Sequence, residues 1–192
     1  MEAPLADLPL GEVLERIAAR TPAPGAGSSS ALTCALAAAL AEMAARFDRS
    51  EGAAARIVRA QALRARALEL VERERHAYKP VLEALRIDRA DPERESRLAQ
   101  ARATAASSPL TIAHAGSEIA TLAAECAEHT SPHLLGEALV AARLAAGACS
   151  AATELVQINL RDARGDSRLS QAAALAREAE AALHEVAARA SG

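Results

Sequence analysis

The sequence predicts an all-α fold, an up-and-down bundle of about seven helices, several of them long. Three observations carry this. Alanine, leucine, arginine and glutamate, all strong helix formers, dominate the 192 residues. Strand-favouring residues are sparse: aromatics make up 1% of the chain (Phe47 and Tyr78, no tryptophan). Apolar residues also recur at three- and four-residue spacing over long stretches. With 51% hydrophobic residues the chain can bury one sizeable core. That core must be built of small side chains, which suits long antiparallel helix pairs and helix-to-helix dimer faces.

The first helix is placed at about Leu8 to Ala19, with Leu10, Val13, Leu14 and Ile17 on one face, and "TPAPGAGS" breaks it. The second begins near Ser28 and runs to about Asp48. Ser50 is read as the cap of the third, whose apolar face (Ile57, Ala60, Leu63, Ala67, Leu70, Val71) continues toward Leu85. Inside it Pro80 cannot donate to the carbonyl of His76, so the helix kinks, or ends and restarts. Asp91 as cap, Pro92 in the first turn and Glu93 at the positive end of the dipole start the fourth. Ser108 and Pro109 repeat that signature for the fifth. The sixth runs from Leu134 through "LVAARLAAGACSAATELVQINL", about seven turns. Asp166 caps the seventh, from about Arg168 to Ala188. No repeat and no linker divides the chain, so residues 1–192 are read as a single domain.

Net charge is −3, with 22 basic and 25 acidic residues interspersed, so the basic stripe that nucleic acid requires is missing. Cys34, Cys126 and Cys149 are odd in number and widely spaced, which reads as reduced core thiols of a cytoplasmic protein. Glu2, Asp7, Glu12 and Glu15 precede the first uncharged run where a signal peptide would be basic. Between Gly25 and Glu42 lie 16 uncharged residues, short of the roughly 20 that a membrane span needs.

No CxxC, HExxH or G-x-S-x-G motif occurs, and the five histidines (His76, His114, His129, His133, His184) show no ligand spacing, so no metal site is expected. Three segments can carry other chemistry. In "PAPGAGS", glycines at a helix start let backbone N–H groups face a ligand, and Ser28 adds a hydroxyl; an ordinary loop would look the same. In "VERERHAY", Glu72 and Glu74 are two residues apart and point about 200° away from each other, so at most one enters a common pocket. The other is a solvated position beside Arg73 and Arg75. Glu137, in "LLGEALVAARLA", is either outward and solvated or inward and used, since an idle buried carboxylate is costly.

Four stretches together resemble the cyclodeaminase/cyclohydrolase family, the C-terminal domain type of formiminotransferase-cyclodeaminase, over nearly the whole chain. "TPAPGAGSSSALTCALAAALAEMAARF" is similar to the family's P-G-G-G-S opening followed by small residues and a Met. "ERERHAYKPVLEAL" resembles its D-x-D-x-x-A-[FY] helix, "LAQARATAASSPL" its glutamine helix leading into Pro-Leu, and "GEALVAARLAAGACSAATELVQINL" its S-D-x-x-V-A-A…N-V-x-I-N-L helix. The resemblance implies an all-α homodimer with a reduced folate as ligand and no cofactor beyond the tetrahydrofolate substrate. Carried over, Pro24, Gly25, Gly27 and Ser28 form the ligand loop, Glu74 takes the position assigned to proton transfer, and Glu137 that of an electrostatic or orienting partner. Tyr78, Lys79 and Asn159 are further ligand candidates, Lys79 for a glutamate tail.

The reaction so implied is hydrolysis of methenyltetrahydrofolate or cyclodeamination of formiminotetrahydrofolate. The alternative is a diverged, non-catalytic helical dimer that binds a folate-like ligand or serves as a scaffold. Ala26 replaces the family's middle glycine, and a positive φ there would strain the loop. Glu72 and Glu74 replace aspartates, and Gly136-Glu137 replaces Ser-Asp. Each extra methylene moves a carboxylate by roughly 1 Å, a shift that can cost about 10²-fold in rate.

Overall fold

A computed structural model describes residues 3–191, and every regular element among them is helical. The described residues form eight α-helices: α1 (Leu10–Ala18), α2 (Ala26–Arg46), α3 (Ala53–Ala77), α4 (Lys79–Leu85), α5 (Arg94–Ala105), α6 (Ser107–His129), α7 (Leu135–Asn159) and α8 (Ser167–Ala190). Short 3₁₀ turns at Leu5–Asp7 and Pro132–Leu134 precede α1 and α7. The third predicted helix is divided at Tyr78 into α3 and α4. Tyr78 N–H closes the first onto His76 O, the carbonyl that Pro80 cannot serve, and Val81 N–H restarts the chain on Tyr78 O.

The five long helices alternate in direction. Ser28 Oγ donates to Val71 O at one end of the α2–α3 pair and Gln61 Nε2 to Glu42 Oε1 at the other, so the two are antiparallel. Cys34 lies on Ile112 and Cys126 on Ala41, which sets α6 parallel to α2. Cys149 Sγ donates to Ala113 O, and α7 returns antiparallel to α6. Thr153 Oγ1 donates to Ala172 O, and α8 returns again, alongside α6 from the His114–Gln171 contact to Glu128–Arg189.

The core between them is largely alanine: Ala31, Ala37, Ala38, Ala41, Ala113, Ala141 and Ala145 are fully buried. Small side chains bring the backbones together. A Cβ added at Gly116 on α6 would lie 2.9 Å from Cys149 Cβ and 3.0 Å from Ala145 O on α7. All three cysteines are free and buried, as expected. Burial pushes the Cys34 thiol up to about 12 and those of Cys126 and Cys149 to about 11, which leaves them unreactive.

Helix starts differ from expectation in instructive ways. Asp166 does cap α8, accepting from Arg168 N–H at 2.9 Å, and the Arg168 guanidinium holds its carboxyl down to about 2. Ser50, however, does not cap α3, which begins at Ala53 behind Gly52. It serves instead with Arg56 to hold the Asp48 carboxylate at the α2–α3 turn. Asp91 accepts from Glu93 N–H in a turn of its own, and α5 starts only at Arg94. Ser108 is no cap either, because α6 begins one residue earlier and no side chain caps it.

Two stretches, Ala26–Arg46 and Pro132–Asn159, are long and apolar enough to cross a membrane by length and composition. Of their most apolar windows, 61% and 50% are buried inside the bundle, so α2 and α7 are core helices that also present an apolar outer side.

Candidate active site

Where α2 begins and α7 ends, a cleft of ≈ 230 Å³ opens at one end of the bundle. Its roof is the loop Pro22–Gly25 and the first turn of α2; its floor is the last part of α3, with Glu74 and Tyr78; its far wall is the last turn of α7, with Leu155, Ile158 and Asn159. Gly25 is the N-cap of α2, and no side chain satisfies the N–H groups that follow. The first backbone donors of a 21-residue helix therefore line the cleft, at the positive end of its dipole. The helix starts two residues earlier than predicted, and Ala26 fits without strain because no non-glycine residue among those described has a positive φ.

Glu74 faces these donors. Its carboxylate lies directly over Gly27: a Cβ there would sit 2.1 Å from Oε1 and 2.3 Å from Cγ. Gly27 is thus required by a close approach rather than by a turn. Glu74 Oε2 is buried and has no hydrogen-bond partner. Burial raises the ionisation of Glu74 above the usual carboxylate range, and the nearby Ser108 hydroxyl pulls the other way. Ser108 Oγ is itself buried and without a completed hydrogen bond. The Glu74 carboxylate in the cleft and the Ser108 hydroxyl behind it therefore both keep hydrogen-bonding capacity, a condition that suits a side chain that takes and returns protons.

The other candidates divide sharply. Glu72 points away, as the 200° separation requires. It accepts from Leu5 N–H at 2.5 Å and pairs with Arg75 at 3.3 Å. Gly25, Gly27, Ser28, Glu74, Tyr78 and Asn159 all line the cleft, but the Ser28 hydroxyl is committed to Val71 O at 3.1 Å, so Ser28 offers its backbone and not its side chain. Pro24 lines a neighbouring groove of ≈ 380 Å³ with Arg16, Arg75 and His76, which meets the cleft at Ala23. Lys79 is exposed and lines neither.

Glu137 is not brought to Glu74 within the chain. It lies in the first turn of α7, 22 residues before Asn159, which at 1.5 Å per residue is about 33 Å from the cleft. Sequence reasoning missed Ile158 and above all Ser108, whose position next to Pro109 mimicked a cap.

Fold and site together define the class: an all-helical bundle with a partly desolvated carboxylate facing an uncapped helix start in a cleft between helices. Residues 9–181 match the formiminotransferase-cyclodeaminase family, and the chain belongs to that family. Its fold is similar to the crystal structure of formiminotetrahydrofolate cyclodeaminase from Thermotoga maritima, with a TM-score of 0.86 and 24% identity over 98% of both chains. At that identity the likeness is one of fold. No match was found among curated proteins.

Proposed function

We propose that the protein is a folate one-carbon enzyme, hydrolysing methenyltetrahydrofolate to formyltetrahydrofolate or cyclodeaminating formiminotetrahydrofolate. The observation that supports this best is Glu74: half-buried, with one oxygen enclosed and unpaired, raised in ionisation and facing the α2 amides across a cleft. Methenyltetrahydrofolate carries a cationic carbon between two nitrogens. An ionised Glu74 stabilises that cation, takes a proton from the water that adds to the carbon, and returns it to the nitrogen whose C–N bond then breaks. In cyclodeamination the same carboxyl, protonated, gives its proton to the departing ammonia as the second folate nitrogen closes on the formimino carbon. The cleft of ≈ 230 Å³ suits the reacting ring system, and the adjoining groove with Arg16, Arg75 and His76 leaves the acidic tail a cationic path. The reading includes a cytoplasmic setting, a homodimer and no cofactor beyond the folate.

Purified protein is offered each folate and the methenyl chromophore is followed. Turnover of either supports the reading, and turnover of neither refutes it. Tyr78, the one aromatic side chain in the cleft, favours attention to a binding-only reading, since pterin rings are commonly held by stacking. Calorimetry with formyltetrahydrofolate decides that case: heat without turnover means a binding protein, and no heat means a scaffold.

A further inference from the structure

Helices α4 and α5 stand apart from the rest of the bundle. They connect the end of α3 to the start of α6, and those two ends lie with the start of α2 and the end of α7, where the cleft opens. Val81, Ala84, Leu98 and Ala105, with Ile87 and Ala101 against them, form a small core of their own. α4 packs on α5 and on no other element to a comparable extent. Among the described residues, the side-chain hydrogen bonds and ion pairs of residues 79–101 all stay within the hairpin. Its ties to the bundle gather at its foot, where Arg168 Nη1 donates to Ala103 O at 2.6 Å and Arg102 pairs with Asp162 at 3.5 Å.

Both joints of the hairpin are bends in helix rather than loops. At Tyr78 the ladder is interrupted because Pro80 has no N–H, and at Ala106, with φ −60° and ψ −21°, α5 passes into α6. Tyr78 is also a wall of the cleft. Leu82 and Leu85 follow it at helical spacing, so an apolar stripe that begins in the cleft runs on along α4. That stripe is not covered: Tyr78 is 37% and Leu85 42% exposed, and Leu82 is half-buried. On the far wall of the cleft Ile158 is 60% exposed. A pocket that holds a ring system buries roughly 70–90% of it, and this cleft stands open.

We infer that residues 79–105 are a hinged lid, turning at Tyr78 and Ala106, that lays the stripe of Tyr78, Leu82 and Leu85 over the ring bound in the cleft. The hairpin moves as a body because its core is its own, and at low cost because few contacts to the bundle have to break. A ligand shifts such an equilibrium only through contacts that differ between the two states. The stripe supplies them: closed, its three side chains are buried against the ring, and open, they are wet. Closure also removes bulk water from around Glu74, which strengthens its hold on a developing charge. Closure over a folate rests on the enzymatic reading; the hinge does not.

Amide hydrogen exchange on the full chain, free and with formyltetrahydrofolate, tests both. In the free protein, residues 79–104 should exchange about tenfold or more faster than α2 and α6. Bound folate should slow them about tenfold together with residues 22–28, and leave residues 47–52 at the far end of the bundle unchanged. Pro80→Ala gives residue 80 an N–H for His76 O, joins α3 to α4, and should slow exchange of the free hairpin about tenfold. Leu85→Glu sets a charge at an already exposed position, so the fold should hold. Its folate binding by calorimetry should weaken about tenfold, and protection of 79–104, but not of 22–28, should be lost. A hairpin that exchanges as slowly as α2, or is unaffected by Pro80→Ala, overturns the hinge. Protection of 22–28 without 79–104 in wild type, or Leu85→Glu binding like wild type, overturns the lid. Protection of neither segment refutes the folate reading and closure over a folate with it, and the free-protein exchange then decides the hinge.

Discussion

Asp48, buried, and Glu74, half-buried with one carboxylate oxygen enclosed, stand at opposite ends of the α2–α3 pair, and the fold treats them in opposite ways. Burial works against the charge of both. At Asp48 it is outweighed by Ser50 N–H at 2.7 Å, the Ser50 hydroxyl and the Arg56 guanidinium, so its ionisation falls below the usual range. At Glu74 it prevails, because only Ser108 opposes it and that hydrogen bond is incomplete. The saturated carboxylate ties two helices together. The unsaturated one is left under-satisfied at a cost in stability, which is why the proposed chemistry is placed on it.

The sharpest way to break the contrast is Glu74→Gln, which keeps the shape and removes the proton transfer. Turnover should fall about 10²- to 10⁴-fold. Stability should move the other way. A carboxyl raised in the folded state favours folding only below its ordinary 4.5 and works against it as pH rises, so Glu74→Gln should unfold at higher denaturant concentration than wild type at pH 8 and at the same concentration near pH 4. Equal stability at both pH values would show that Glu74 is solvated.

Asp48→Ala should do the reverse, leaving turnover intact per folded molecule and costing about 3 kcal/mol in urea unfolding, since it strands Arg56 beside a buried turn. Asp48 is depressed, so its contribution is complete above its ordinary 3.8 and disappears as pH falls through its lower folded value; the gap between variant and wild type should close only in strong acid.

Gly27→Ala pushes the Glu74 carboxylate out of its place and should cost about 10²-fold in kcat/KM. Alanine is the better helix former by about 1 kcal/mol, so the melting temperature should hold or rise, which separates displacement of a catalytic group from simple damage. The smallest effect belongs to Ser108→Ala. It removes the one group that favours ionised Glu74, so the acid limb of the kcat/KM profile should shift to higher pH, with threonine restoring it. An unmoved limb would remove Ser108 from the site.

Helix class was legible, and the number of helices up to the division of the third at Tyr78, because propensity and spacing are local properties. The choice between Glu72 and Glu74 was also legible in part, since 200° of helix rotation forbids both from entering one pocket. Which of the two enters depends on what α3 packs against, and here the N-terminal turn claims Glu72 through Leu5. Serines were the least legible residues. Ser50, Ser108 and Ser28 all stand at helix starts, where capping is the local expectation, yet their hydroxyls go to Asp48, toward Glu74 and to Val71. Ser28 and Ser108 answer to neighbours on α3 that the local sequence does not display, and Ser50 to a carboxylate two residues before it that Arg56 also claims. Glu137 failed for the same reason on a larger scale: its distance from the cleft is set by the length of α7.

The alanine core has a consequence for how this protein tolerates change. Replacing buried side chains by alanine, the usual way to find what holds a fold, would be silent at most central positions because the truncation has already been made. The sensitive direction is growth: one added methyl at Gly116 meets α7 at 2.9 Å, and the closely spaced helices have nowhere to put it. Sequence drift in such a bundle is therefore confined from above, by volume, and the helix spacing that shapes the cleft is preserved by every small residue along its length.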